Sequence, residues 1–323
     1  MILGIETSCD DTCAAVVTRD GEIRSNVISS QGIHDRYGGV VPEIASRHHL
    51  ELANLAVDDA LRTAQATLDD VEAVAVTQGP GLVGALLVGV ATAKGIAAAR
   101  GLPLVPVDHL QGHVAANFLQ PDPFEPPFLC LIASGGHTFL AEVTEHDGFT
   151  VLGQTLDDAA GEAFDKGARL LGLPFPGGPA LEKLARDGDP TAHDFPTGRD
   201  RELDFSFAGV KTALLYRLRD EPDADRADLA ASYQRAIVEQ LARRTETALQ
   251  RTGHDRLAIG GGVAANGPLR ERLTEIGVEL KVPPRALCTD NAAMIAGAAR
   301  YTKPLPFPDY LSLDAYATGE RGL

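Results

Sequence analysis

The same order of elements occurs twice along this chain, and that repetition limits the possible folds more than any single motif. Residues 2–5 read as a short buried strand, followed by the polar turn 6–12, a second strand over 13–18, a hairpin at Gly21 and a third run over 23–29. The pattern returns downstream. A strand over 128–133 leads into the polar turn Ser134-Gly135-Gly136-His137-Thr138, a strand over 139–144 and a turn at Asp147-Gly148. The later parts match too. A strand over 71–77 ends in Gln78-Gly79-Pro80-Gly81 and opens a small-residue helix, and a strand at 257–259 ends in Gly260-Gly261-Gly262 and leads through Val263-Ala264-Ala265-Asn266 into another.

Hairpin strands, helix, strand, glycine loop and helix, met twice, predict a duplicated α/β domain. Glycine turns at strand ends let backbone N–H groups approach phosphates closely. This resembles the organisation of the actin, Hsp70 and sugar-kinase superfamily (ASKHA, with a ribonuclease H-like core), in which two lobes enclose a nucleotide in a central cleft. The expected first lobe covers residues 1–126 and is completed by 295–323; the second covers 127–294, with an insertion at about 150–230 rich in Gly, Pro and Asp.

Composition narrows the function. Lysine and arginine number 29 against 45 acids, a net charge of −16. Phosphate contacts dominate nucleic-acid affinity, so this balance argues against a protein that grips RNA unaided; an RNA substrate would need a local basic patch or a basic partner. Cys9, Cys13, Cys130 and Cys288 form neither a CxxC pair nor a disulfide framework, which suits a reduced compartment. The opening Met1-Ile2-Leu3-Gly4-Ile5 has no basic flank or small-residue cleavage site, so a cytoplasmic location is expected. The apolar stretch 81–99 is interrupted by Lys94 and lined by Gly84, Gly89 and Gly95; it reads as a buried helix packed on a sheet, and no membrane is expected.

His109 and His113 stand four residues apart, one above the other if the segment is helical, so both imidazoles can reach one metal ion. A zinc-protease HExxH helix has its general base directly after the first histidine; here that residue is Leu110. A leucine cannot take a proton from water, so a metal held here would do something other than hydrolyse peptides.

Several further motifs make the chain resemble a named family. Gly4-Ile5-Glu6-Thr7-Ser8-Cys9-Asp10-Asp11-Thr12, Gly79-Pro80-Gly81-Leu82-Val83-Gly84, His109-Leu110-Gln111-Gly112-His113, Ser134-Gly135-Gly136-His137-Thr138 and Gly161-Glu162-Ala163-Phe164-Asp165-Lys166 are similar to the TsaD family. So are Pro176-Gly177-Gly178-Pro179, Asp204-Phe205-Ser206-Phe207-Ala208-Gly209-Val210-Lys211-Thr212, Gly261-Gly262-Val263-Ala264-Ala265-Asn266 and Cys288-Thr289-Asp290-Asn291. The SGGHT form places the resemblance on the bacterial or organellar branch. It implies an acyltransferase of tRNA modification. The threonylcarbamoyl group would pass from threonylcarbamoyl-AMP to N6 of the adenosine just 3′ of the anticodon, in tRNAs reading ANN codons, releasing AMP.

The resemblance also implies residue roles. His109, His113 and Asp290 would hold one metal ion per subunit, Fe(2+) first and Zn(2+) second; two imidazoles and a carboxylate leave positions open for a further ligand. Ile132, Ala133, Ser134, Gly135, Gly136, Asp165, Gly178, Glu182 and Asn266 would contact the adenylate, at a site ATP or ADP would share. Glu182 stands where many relatives have aspartate. The chemistry agrees: the glycine turns offer backbone donors, the carboxylates accept ribose hydroxyls, and Asn266 offers both donor and acceptor. A TsaB-like paralogue as heterodimer partner, a TsaE-like ATPase and a TsaC-type synthase for the donor are implied as well.

Glu6, Asp10 and Asp11 in the first turn are the catalytic candidates, with Asp10 the first choice for general base. Asp108 is placed to orient a ligating imidazole, and Lys211 to touch RNA or phosphate. Two alternatives remain. A metallopeptidase would need a base that the motif lacks, and an ATP-driven, Hsp70-like binding switch would need an appended substrate domain, for which the 150–230 insertion is short.

Overall fold

Two sheets of matching order carry the chain, in a computed structural model that describes all residues except 38, 199–202 and 319–323. Strands β1 (Ile2–Glu6), β2 (Asp11–Val17) and β3 (Ile23–Ser30) form an antiparallel meander. Helix α1 (Pro42–Thr63), β4 (Ala73–Gly79), α2 (Val83–Arg100), β5 (Leu104–Asp108) and α3 (His109–Ala115) follow. The plan restarts with β6 (Phe128–Ala133), β7 (Thr138–Glu145) and β8 (Gly148–Gln154), then α4 (Ala160–Leu170), α5 (Gly177–Ala185), α6 (Ala208–Asp220) and α7 (Arg226–Thr252). It ends with β9 (Arg256–Gly260), α8 (Gly267–Thr274), β10 (Glu279–Lys281), α9 (Arg285–Cys288) and α10 (Ala292–Ala299). The sheet orders are β3-β2-β1-β4-β5 and β8-β7-β6-β9-β10. In each, the central strand pairs antiparallel with the next strand of its meander and parallel with the strand that follows a helix. The expected duplication is thus present strand for strand.

The first compact unit comprises Met1–Pro126, Glu145–Phe149 and Pro283–Leu323, and the second Pro127–Thr144 and Thr150–Val282. The chain returns to the first unit at Pro283 rather than at the expected 295, because α10 packs against β1, β2, β3 and α3. Asp290, expected in the second lobe, therefore shares a unit with both histidines. The 150–230 insertion supplies α4, α5, α6 and the start of α7; its residues 199–202 lie outside the described residues.

Alternation along β1 explains its glycine. Leu3 and Ile5 enter a core with Ala56, Val57 and Ala60 of α1 and Val90, Ala93 and Ala97 of α2. Gly4 faces the other way, where a Cβ would lie 2.4 Å from the Ala292 carbonyl oxygen and 3.1 Å from the Ala296 Cβ of α10. Neither face leaves room for the strand to retreat. Gly4→Ala is expected to lower stability by about 2 kcal/mol, read as a reduced urea midpoint at unchanged slope.

Helix α2 is long and apolar enough to cross a membrane by length and composition. In this unit it is a core helix, burying Ala85, Leu86, Val88, Gly89, Val90, Ala93 and Ala97. Gly89 lies against Thr7, whose hydroxyl donates to the Ala85 carbonyl at 2.9 Å. The turn before it differs from expectation. A Cβ on Gly81 would stand 2.6 Å from the Ser8 carbonyl oxygen, and one on Gly79 would stand 2.4 Å from that of Tyr316. The space these glycines vacate is filled by the protein's own chain, not left open for a phosphate.

Candidate functional site

Helix α3 delivers the two histidines because its start is fixed by Asp108. The Asp108 Oδ1 accepts from the Leu110 and Gln111 amides at 2.8 and 3.1 Å, a side-chain N-cap. Every residue of α3 is buried, and Gly112 keeps the helix close to Met294 and Ile295 of α10. Asp290 arrives from the loop before α10. There Asn291 caps the helix through Met294 N–H at 2.9 Å and ties back to the Thr289 carbonyl at 2.8 Å. One Asp290 oxygen then stands 3.6 Å from His109 Nε2 and 3.4 Å from His113 Nε2.

These three residues fit a metal ion. Donors that share an ion at about 2.0–2.2 Å are separated by roughly this much. Both ring nitrogens of His113 are buried without a hydrogen-bond partner among the described residues. An imidazole with two orphaned nitrogens is costly unless something else satisfies it. His109 is held differently. Its Nδ1 lies 3.0 Å from Glu6 Oε2 and 3.2 Å from Ser8 Oγ, which turns Nε2 toward Asp290. A carboxylate behind a histidine fixes tautomer and ring orientation in metal sites and raises ligand basicity. Glu6 is itself fully buried, accepting from Thr77 Oγ1 at 2.5 Å and from the Ser8 amide.

Electrostatics follow from this burial. Desolvation acts against charge on His109, but the Glu6 and Asp290 carboxylates outweigh it and raise the imidazole to about 9. Burial likewise acts against the Glu6 anion, yet the His109 charge and hydrogen bond hold its pKa below the ordinary value. Asp11 is pushed up to about 6, by burial first, with Asp290, Asp10 and Glu6 adding to it against a hydrogen bond from Ser30.

The expected catalytic acids thus separate. Glu6 sits at the end of β1 behind His109, Asp10 lies in the following turn, and Asp11 opens β2. Asp108 is not the expected partner of a ligating imidazole. One of its oxygens caps α3 and the other accepts the Tyr316 hydroxyl, while Glu6 takes the histidine.

The adenylate residues all belong to the second unit, and the structure distinguishes them. Gly135 and Gly136 are exposed in the β6–β7 turn, with nothing within 4 Å of where a Cβ would lie. Ser134 closes that turn, its hydroxyl accepting from the His137 amide at 3.0 Å. Asp165 Oδ1 accepts from the Gly177 and Gly178 amides at 2.7 and 3.3 Å and so holds the start of α5. Burial pushes the Asp165 carboxyl up, against those two amides.

Other expected contacts are engaged within the protein. Ile132 and Ala133 have buried side chains in the central strand, and Ile132 is paired on both sides, with Phe139 and Gly260. Asn266 donates to Glu182 at 3.1 Å and Gln234 at 2.9 Å and accepts from the Leu269 amide at 3.0 Å. Both amide hydrogens are thus engaged within the protein. Its role in the structure is to cap α8 and anchor Glu182. Lys211, expected at RNA or phosphate, pairs with Asp158 at 3.1 Å, as does Lys166 at 2.7 Å.

Sequence reasoning missed Ser8, Thr77 and Gln234, which orient Glu6, His109 and Asn266. It also missed Asp157, which accepts from Ser206 Oγ and the Phe207 amide before α6. The Asp157-Asp158 pair between a strand and a helix start was the one available signal.

Comparison with known proteins agrees with this architecture. A family model described as TsaD, tRNA N6-adenosine threonylcarbamoyltransferase, matches residues 22–297. A protein of that name from Clostridium botulinum (strain 657 / Type Ba4) is 50% identical over 311 residues, covering 93% of this chain and 92% of its own. One from Clostridium perfringens (strain SM101 / Type A) is 50% identical over 312 residues with the same coverage. In fold, the chain is similar to the nucleotide-bound activator of the 2-hydroxyisocaproyl-CoA dehydratase from Clostridium difficile, at 16% identity, a TM-score of 0.55 and 93% coverage of both chains. It is also similar to full-length HypF, at 14% identity and a TM-score of 0.60 over 93% of this chain and 54% of that one. Duplicated sheets, motif order and half-identical relatives along nearly the whole length together establish that the chain belongs to the TsaD family of tRNA N6-adenosine threonylcarbamoyltransferases.

Proposed function

We propose that this transferase takes its threonylcarbamoyl group from threonylcarbamoyl-AMP and passes it to N6 of the adenosine 3′ of the anticodon, in tRNAs reading ANN codons. The observation that carries the reading is the His109, His113 and Asp290 cluster, with Glu6 behind His109. An ion held there, Fe(2+) first and Zn(2+) second, would supply electrophilic stabilisation of oxygen charge. The donor is a mixed anhydride, already activated at its carbonyl. The N6 lone pair is delocalised into the ring, so positioning and removal of an N6 proton limit the reaction. The amine nitrogen bonds to the carbonyl carbon, the anhydride C–O bond breaks, and AMP leaves with its electron pair.

Glu6 is committed to His109, so Asp10 and Asp11 remain to accept the N6 proton. Asp11, at about 6, has a value suited to a base near neutrality, while Asp10 lies in the turn itself. The exposed Gly135-Gly136 turn serves the adenylate, and ATP or ADP would enter the same place. Leu110 is fully buried, so the position that carries the base in a zinc protease lies in the core, which disfavours the metallopeptidase alternative.

The acidic chain takes tRNA with help, and we assign that help to a TsaB-like paralogue and a TsaE-like ATPase, with a TsaC-type synthase supplying the donor, in the cytoplasm. Leu50 and Leu55 on α1 and Val83 and Leu87 on α2 are exposed apolar residues on which such a paralogue would dock. Purified chain with these partners, threonylcarbamoyl-AMP and unmodified tRNA is expected to form modified adenosine, and His109→Ala to lose it. Undiminished transfer by the alanine variant would remove the metal from the reaction. No transfer by the complete wild-type set would remove the donor assignment.

A further inference from the structure

The last described residues of the first unit cross the turn after β4 and end against the start of α3. Lys94 of α2 donates to the carbonyls of Leu311 at 2.9 Å and Leu313 at 2.6 Å. Gln78 Nε2 donates to the Asp314 carbonyl at 2.8 Å, and the Tyr316 amide donates back to the Gln78 carbonyl at 3.2 Å. Tyr316 lies directly on Gly79, where a Cβ would be 2.8 Å from its ring. Tyr316 is 7% exposed, and its hydroxyl donates to the Asp108 oxygen that does not cap α3.

We propose that Tyr316 is a positioning residue for the metal centre, acting through Asp108. Helix α3 has seven residues, too few to hold its shape alone. Its start depends on one carboxylate with two duties: Oδ1 holds the Leu110 and Gln111 amides, and Oδ2 is held by Tyr316. With Oδ2 released, the aspartate turns about its side-chain bonds and the cap loosens. His109 follows Asp108 directly, so its ring is the first to lose its aim. The consequence for metal affinity rests on the metal reading above; the restraint on the helix does not.

Two measurements test this, the first on metal-free protein. In Tyr316→Phe, hydrogen exchange at the Leu110 and Gln111 amides is expected to accelerate about tenfold as local opening becomes easier. Zinc affinity, measured by competition with a chromophoric chelator, is expected to fall about threefold to tenfold, less than the loss of a group touching a ligand directly. Lys94→Met, which frees the crossing segment without touching Tyr316, should move both readouts the same way by less. Asp108→Asn and Tyr316→Phe should combine to less than the product of their separate effects. Unchanged exchange in Tyr316→Phe would overturn the proposal, as would a fully multiplicative double variant. Faster exchange with wild-type zinc affinity would reduce Tyr316 to a stabilising contact and overturn its positioning role. Should wild-type protein bind no zinc or iron, the metal reading fails, while the exchange result still judges the restraint.

Discussion

His113→Leu is expected to stabilise the metal-free chain while removing its metal binding. The side chains have similar volume, so the core around α3 and α10 stays filled. Neither buried ring nitrogen has a hydrogen-bond partner among the described residues; Nε2 still faces the Asp290 carboxylate at 3.4 Å, so Nδ1 carries the main cost, about 1–3 kcal/mol. Leucine removes that cost, so the metal-free variant should unfold at higher temperature than metal-free wild type. With metal the order reverses, because binding adds stability only to the protein that retains the site. Transfer should fall on the order of a hundredfold to a thousandfold, the scale of losing one electrostatic contributor at a reacting centre. Calorimetry of both proteins, stripped and metal-loaded, checks the crossing. A variant less stable than wild type in both states would mean that His113 belongs to ordinary packing.

Glu6→Gln should weaken metal binding about tenfold to a hundredfold, the range for a group that orients a ligand. Glu6 accepts from Ser8 N, Thr77 Oγ1 and His109 Nδ1, all donors. A carboxamide turns one acceptor into a donor, so one of these contacts is lost or reversed. The sign of the pH effect separates this from simple damage. His109 stands at about 9 without metal, so below that value an ion must displace a proton from Nε2, and apparent affinity falls up to about tenfold per pH unit. Without the Glu6 charge the imidazole is less basic and proton competition weakens. The variant's deficit should therefore be larger at pH 9 than at pH 7, and its affinity should change less with pH. A deficit equal at both values would show that Glu6 does not control the His109 proton.

The sequence made the architecture legible because β1 to β5 and β6 to β10 repeat a pattern of buried strands and glycine turns, which hydrophobic period and turn chemistry expose. The His109, His113 and Asp290 cluster was legible only in part. His109 and His113 share a helix face by spacing alone, but nothing local ties them to Asp290; the family resemblance supplied that link, and α10 lying across β1 accounts for it physically. Roles set by single hydrogen bonds were not legible. Asp108, read as a partner for histidine, caps its own helix, and the Asn266 side chain joins Glu182 and Gln234 from segments far away in the sequence. Such choices depend on ångström-scale placement of side chains from distant segments.

The return of the chain at Pro283 has a consequence for biosynthesis. Synthesis proceeds from the N-terminus, and domains generally fold in that order. The sheet of β1 to β5 and both histidines are complete long before Asp290 and α10 leave the ribosome. Until then one face of that sheet, with Gly4 at its centre, has no cover, and the His109, His113 and Asp290 cluster has two of its three side chains. A nascent or prematurely ended chain would thus lack the complete cluster and would display apolar surface to chaperones and proteases. On the proposed metal reading, loading at this cluster would mark the chains whose translation had run past Asp290.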